Sequence, residues 1–140
     1  MHIKYLVAKD AYMRVSDSWG QGHFHASRGT RRHKGVDYEV PLGSAIIAPV
    51  AGTITKLGYA YNDDLSFRYV EITEENDLRV RIFYVQPAVV VLDSVIAGDI
   101  IGHSQDLEAR YKEILQHVHL EILKPDGDEI DPDEYEQFIN

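Results

Sequence analysis

The sequence predicts a mainly β domain with one or two short helices. Three observations carry that expectation. The chain has 140 residues, the length of one domain able to bury a modest core of its own. From residue 44 onward, short runs rich in Val, Ile, Phe and Tyr alternate with Gly-, Pro- and Asp-containing turns. Before the last ten residues, apolar side chains recur at helical spacing in one stretch, "DLEARYKEIL".

The elements follow in order. Residues 1–32 are polar and Gly-punctuated, as in "SWGQGHFHASRG", and read as an irregular N-terminal arm. "SAIIAPV" and "GTITKLGYAY" are strands around a Pro-Val-Ala-Gly turn. "FRYVEIT" and "LRVRIFYV" alternate in polarity and are joined by "EEND", a hairpin turn. "SVIAGDIIGH" is a further run broken by glycine, and 106–115 is read as a helix with Asp106 at its start. "HVHLEIL" is a strand. "DPDEYEQFI" is a short terminal helix with Asp131 as N-cap and Pro132 at its first position. The expected organisation is a single domain over 1–140: the arm at 1–32, a core at 33–123 and an acidic segment at 124–140.

Composition narrows the function. A net charge of −9 argues against a surface built on phosphate contacts, and so against nucleic acid. The charge is uneven. "RGTRRHK" at 28–34 is basic, and "DGDEIDPDEYE" at 126–136 is acidic, both the usual pattern of solvated faces. No apolar run is long enough for a membrane span. "MHIKYLVAKD" is not a secretory signal, so either the protein is not exported by that route or a leader was removed. With no cysteine, any metal falls to His, Asp and Glu.

Those residue types converge in two places. In the strand "LQHVHLEIL", alternation puts Val118, Leu120 and Ile122 on one face and His117, His119 and Glu121 on the other. The first set reads as core, the second as a solvated face or a site. In "HKGVD", Gly35 allows a sharp turn through which His33 and Asp37 can converge. A mononuclear catalytic zinc needs three N/O ligands and one open position. His33, Asp37 and one of the two strand histidines would supply them, leaving the other beside the attacking water.

The blocks "HKGVD", "PLGSAIIAPVAGTI", "VIAGDIIG" and "HVHLEI", in order across 33–123, resemble the lysostaphin/LytM-type zinc endopeptidases. The resemblance implies a compact antiparallel β-sheet of the duplicated hybrid motif and cleavage of peptidoglycan peptides. It also implies Zn2+ held by His33, Asp37 and His119, with His117 catalytic. One departure stands out. Where the family has a second catalytic histidine after Tyr-x, "FYVQP" has Gln86. A glutamine can donate a hydrogen bond to an oxyanion but cannot move a proton near neutral pH. "GQGHFHASRGTRRHKGVD", "FYVQP" and "HVHLEI" are also similar to the leukocyte cell-derived chemotaxin 2-like branch, a zinc-binding branch not known for peptidase activity.

Other residues carry weaker readings. Glu121 either fixes a histidine or faces solvent. His23 and His25 either fold over the metal or lie in a solvated loop. Arg28 and Arg31 either bind a carboxylate or buttress their loop, and Tyr84 and Trp19 read as packing residues. His103 is a turn histidine, and His2 is terminal. The expected function is a zinc metalloendopeptidase-like protein acting on a peptidoglycan or other peptide substrate, placed by resemblance at the cell envelope or with phage-associated lysis. The alternative is a degenerate zinc-containing binding module for a cell-wall glycan, a peptide or a protein partner.

Overall fold

The computed structural model describes residues 7–8, 12–13, 27–28, 31–32, 35–112 and 114–130. In chain order the strands are β1 (Tyr12–Met13), β2 (Ser27–Arg28), β3 (Arg31–Arg32), β4 (Val36–Glu39), β5 (Ala45–Ile47), β6 (Gly52–Tyr59) and β7 (Arg68–Thr73). There follow β8 (Arg79–Phe83), β9 (Val85–Pro87), β10 (Ser94–Val95), β11 (Ile100–Ser104), β12 (His117–Leu123) and β13 (Glu129–Ile130). Every pairing among them is antiparallel.

The main sheet runs β1-β4-β12-β8-β7-β6-β10, with β13 also on β12. Its alternation is what the sequence spells. Val36, Tyr38, Val70, Ile72, Val80, Ile82, Val118, Leu120 and Ile122 all point inward and are buried. A second sheet, β5-β11-β9, contributes Ile46, Val85 and Ile101 to the same core cluster. The core therefore lies between the two sheets, and the opposite face of the main sheet is left for Asp37, His119, Glu121, Phe83, Arg81, Tyr69 and Glu71.

The chain crosses from the main sheet to the small one at Tyr84, between β8 and β9. Tyr84 sits in the left-handed region, φ 72°. A tyrosine there carries a strain of roughly 1–3 kcal/mol, a cost that tends to occur where a side chain must be aimed. Backbone bonds hold it on both sides, Tyr84 N–H to the Arg68 carbonyl at 2.8 Å and Gln105 N–H to the Tyr84 carbonyl at 2.9 Å.

Four expectations change. The helix read over 106–115 is a 3₁₀ turn, Leu107–Ala109, capped by Asp106, whose side chain accepts from Glu108 N–H. Leu107 and Ile114 do face the interior, but into a separate small cluster with Phe67, and the Gln116 side chain takes the Leu107 N–H at 3.2 Å. Tertiary partners override the local periodicity. The arm is not wholly irregular, since Val7 and Ala8 are buried, Ile47 N–H donates to the Val7 carbonyl at 2.8 Å, and β1 extends the main sheet. The acidic segment carries β13, which pairs with β12, and its Ile130 is buried. The terminal helix at 131 onward lies outside the described residues. Gly35 does not serve a positive-φ turn: a Cβ there would collide with the Leu120 carbonyl, so glycine is required by the close approach of β4 to β12.

Candidate functional site

Register alone brings the first site residues together. On the outer face, β4 and β12 pair Asp37 with His119, and β12 and β8 pair His119 with Phe83. His117 is two residues along the same strand and on the same face. Asp37 is 1 % exposed and His117 3 %, an environment in which polar atoms must find partners.

They do. The Asp37 carboxylate is shared: Oδ1 lies 2.8 Å from His119 Nδ1, and Oδ2 lies 3.5 Å from His117 Nε2. On its other side, His119 Nε2 is 3.1 Å from Glu121 Oε1. Burial acts against a charged His119, but the hydrogen bonds and charges of Asp37 and Glu121 outweigh it and push its pKa up to about 9. His117 is fixed differently. Its Nδ1 is 2.7 Å from the Leu115 carbonyl, which can only accept, so Nδ1 carries the hydrogen. Nε2, turned toward Asp37, is then the ring atom left to exchange a proton.

This arrangement fits a metal centre in part. The Asp37 carboxylate and His119 imidazole are side by side, and a carboxylate on the far nitrogen of the imidazole is the usual outer support of a metal-binding histidine. Among the described residues, no group of three or more His, Asp and Glu is set to hold an ion. His33, the third expected ligand, lies outside the described residues.

The model for peptidase family M23 matches residues 31–132. The chain belongs to this family. It is 31% identical over 109 residues to leukocyte cell-derived chemotaxin-2 of Mus musculus, covering 78% of this chain and 72% of that protein. Among solved structures, lysostaphin superposes with a TM-score of 0.69 at 19% identity, over 96% of this chain and 54% of lysostaphin. LytU does so with a TM-score of 0.66 at 25% identity, over 89% of this chain and 84% of that one. Csd3 of Helicobacter pylori gives 0.64 at 23%, over 94% of this chain and 33% of its own. The chain thus spans about half of lysostaphin and a third of Csd3. The mainly β antiparallel fold of the lysostaphin/LytM type is the one the sequence implied.

Within this M23 fold the remaining expected residues divide sharply. Gln86 lies on β9 of the small sheet, exposed, opposite His103 on β11. Its side-chain amide makes no hydrogen bond among the described residues. His23, His25 and Trp19 lie outside the described residues, as do the side chains of Arg28 and Arg31.

Two residues gain a definite place. Glu121, which the sequence left either fixing a histidine or facing solvent, touches His119. The H-x-H-x-E alternation was the available signal. Tyr84 sets its ring edge-on to His117, with centroids 5.6 Å apart. Its hydroxyl is 3.2 Å from that of Tyr61, which accepts from Tyr111 at 2.8 Å, and Arg110 Nε donates to Tyr111 at 3.1 Å. Burial pushes the Tyr84 phenol up to about 12, with the Tyr61 hydrogen bond acting against the shift and the Asp37 carboxylate adding to it. No spacing in the sequence signals this chain of hydroxyls, because its members come from three separate segments.

Proposed function

We propose that the protein is a zinc-dependent metalloendopeptidase that hydrolyses peptidoglycan peptides, with Asp37, His119 and His33 as metal ligands. The observation that supports this best is the shared carboxylate of Asp37, one oxygen on His119 and the other 3.5 Å from His117 Nε2. One side chain thus spans a metal-ligand position and a proton-carrier position. If those residues hold zinc, the ion would supply Lewis acidity toward a peptide carbonyl and would lower the pKa of a water to about 7.

The chain's own residues supply the rest. With Nδ1 committed to the Leu115 carbonyl, His117 Nε2 takes the proton of the attacking water. It returns that proton to the leaving nitrogen as the C–N bond breaks, so the imidazole ends as it began. Glu121 holds the His119 ring so that Nδ1 faces Asp37. Gln86 takes the role of a neutral hydrogen-bond donor to the developing oxyanion.

A second reading is favoured by one specific observation, that Gln86 cannot transfer a proton and the chain resembles leukocyte cell-derived chemotaxin-2. In that reading zinc is structural, and the site binds a glycan, peptide or protein without cutting it. The deciding experiment measures zinc content and peptidoglycan turnover of the protein and of His117→Ala. The peptidase reading expects about one zinc in each and a turnover on the order of 10²–10⁴ lower in the variant. Equal turnover in the two, or turnover unaffected by chelation, sinks it. Zinc with no turnover in either leaves the binding module.

A further inference from the structure

Each of the two site histidines has an aromatic ring set edge-on against it, and the two rings come from consecutive residues. Phe83, the last residue of β8, meets His119 with centroids 5.4 Å apart and planes at 71°. Tyr84 meets His117 at 5.6 Å and 89°. His117 and His119 share one face of β12. A regular strand cannot serve one face with two successive side chains, because they point to opposite faces. Residue 84 of a continued β8 would point into the core. The positive φ of Tyr84 breaks the alternation at that point. Val85 takes the inward place in the main core cluster, and the Tyr84 ring lies against His117 instead.

The far end of that ring is tied down. The Tyr84 hydroxyl meets that of Tyr61 at 3.2 Å, and Tyr61 accepts from Tyr111. Arg110 donates to Tyr111 and lies 3.8 Å over the Tyr61 ring. Phe67 packs edge-on against both Tyr84 and Tyr61. His117 has one hydrogen bond of its own at Nδ1, to the Leu115 carbonyl. A bond at a single ring atom leaves the imidazole free to tilt and turn about its last torsion. A perpendicular ring in contact restricts that rotation and keeps Nε2 turned to Asp37.

We infer that Tyr84 is a positioning residue for His117, its strained backbone and anchored ring holding the imidazole with Nδ1 on Leu115 and Nε2 toward the reacting groups. The inference rests on the endopeptidase reading and deepens it, because it gives the left-handed residue at the sheet crossover a part in the reaction. Tyr84 acts through His117 and takes no proton itself. The competing role is plain packing, since the same ring also lies on the small cluster of Phe67, Leu107 and Ile114. Packing alone predicts a loss of stability when the ring is removed and no change in how His117 is held.

The test reads His117 directly. In the zinc-loaded protein its Nδ1 proton, held by Leu115, is expected as a resolved, slowly exchanging downfield NMR signal, assigned by its absence in His117→Ala. Tyr84→Leu removes the ring and should lose that signal. Its kcat for peptidoglycan should fall on the order of ten- to a hundredfold, with KM and zinc content unchanged. Tyr84→Phe keeps the ring and loses only the bond to Tyr61. It should keep the signal, with faster exchange, and recover turnover to within about threefold of the parent. Tyr61→Phe cuts the same bond from the other side and should match Tyr84→Phe. If Tyr84→Leu does not fold, Tyr61→Phe decides: faster exchange of the His117 proton supports the inference, and unchanged exchange overturns it. A folded Tyr84→Leu with the signal intact, or a Tyr84→Phe that loses as much as Tyr84→Leu, also overturns it. If the parent turns over no peptidoglycan, the endopeptidase reading fails, while the NMR comparison still decides whether Tyr84 holds His117.

Discussion

The two halves of the candidate site are built to different standards. Asp37, His117 and His119 stand inside an eight-stranded sheet, with each imidazole and the carboxylate tied to a named partner. Gln86 stands on the second sheet, across the Tyr84 crossover, and is exposed beside His103. A buried half held by charge pairing tolerates little change, because each removal strands a partner in a low-dielectric setting. A rim residue held only by its backbone can be exchanged at small structural cost. Residue 86, the position at which the sequence was read as departing from the pattern it resembles, is the one in the permissive half.

The largest effect expected from this difference is on stability. Asp37→Ala leaves both imidazoles without their shared carboxylate and is expected to cost the metal-free protein about 3–5 kcal/mol. Gln86→Ala should stay within about 0.5 kcal/mol of the parent. Denaturant unfolding of both variants checks the contrast. A cost for Asp37→Ala no larger than that for Gln86→Ala would mean the buried half is not held by its charges.

The same contrast explains what the sequence revealed. Alternation in "HVHLEIL" assigned Val118, Leu120 and Ile122 to the core, where they are buried at 0–2 % exposure, because a strand's period is fixed by its backbone. It also put His117, His119 and Glu121 on one face. It could not say which strands lie beside them, since register is a property of pairs: Asp37 was expected near them as a shared metal ligand, but its direct contact with both imidazoles and the Arg81–Glu71 pair were not legible. The stretch at 106–115 was misread for a related reason. Leu107 and Ile114 point inward as a helix would place them, but the turn that achieves this is held by Gln116 and by aromatic rings from other segments. Tyr84 read as packing, which it does, yet its positive φ and its place against His117 come from the change of sheet, which no local pattern announces.

A middle-sized effect tests the permissive half directly. Gln86→His restores a proton-carrying side chain at the exposed position, and peptidoglycan turnover is expected to rise by up to about 10²-fold. Stability should hardly change, because the Gln86 amide has no hydrogen bond to lose among the described residues. Turnover no higher than that of the parent would mean that the rim no longer carries residue 86 to the reacting groups, and that the divergence extends beyond one side chain.

The smallest effect lies at the edge of the rigid half and depends on pH. Burial raises the pKa of Glu71, but the hydrogen bonds from Thr55 and Arg81, with the charges of Arg81 and Arg79, outweigh it and hold the carboxyl below its usual range. A depressed folded-state pKa means the unfolded chain binds the proton more readily. The contribution is therefore complete above the ordinary glutamate value of about 4.3 and is lost as the pH falls through the folded value. Against Glu71→Gln, the parent should be more stable by on the order of 1 kcal/mol at pH 7, with the gap closing on acidification below about pH 4.5. Unfolding curves for the two proteins at pH 7 and pH 3 measure it. A gap of constant size across that range would show that Glu71 acts by shape rather than by charge.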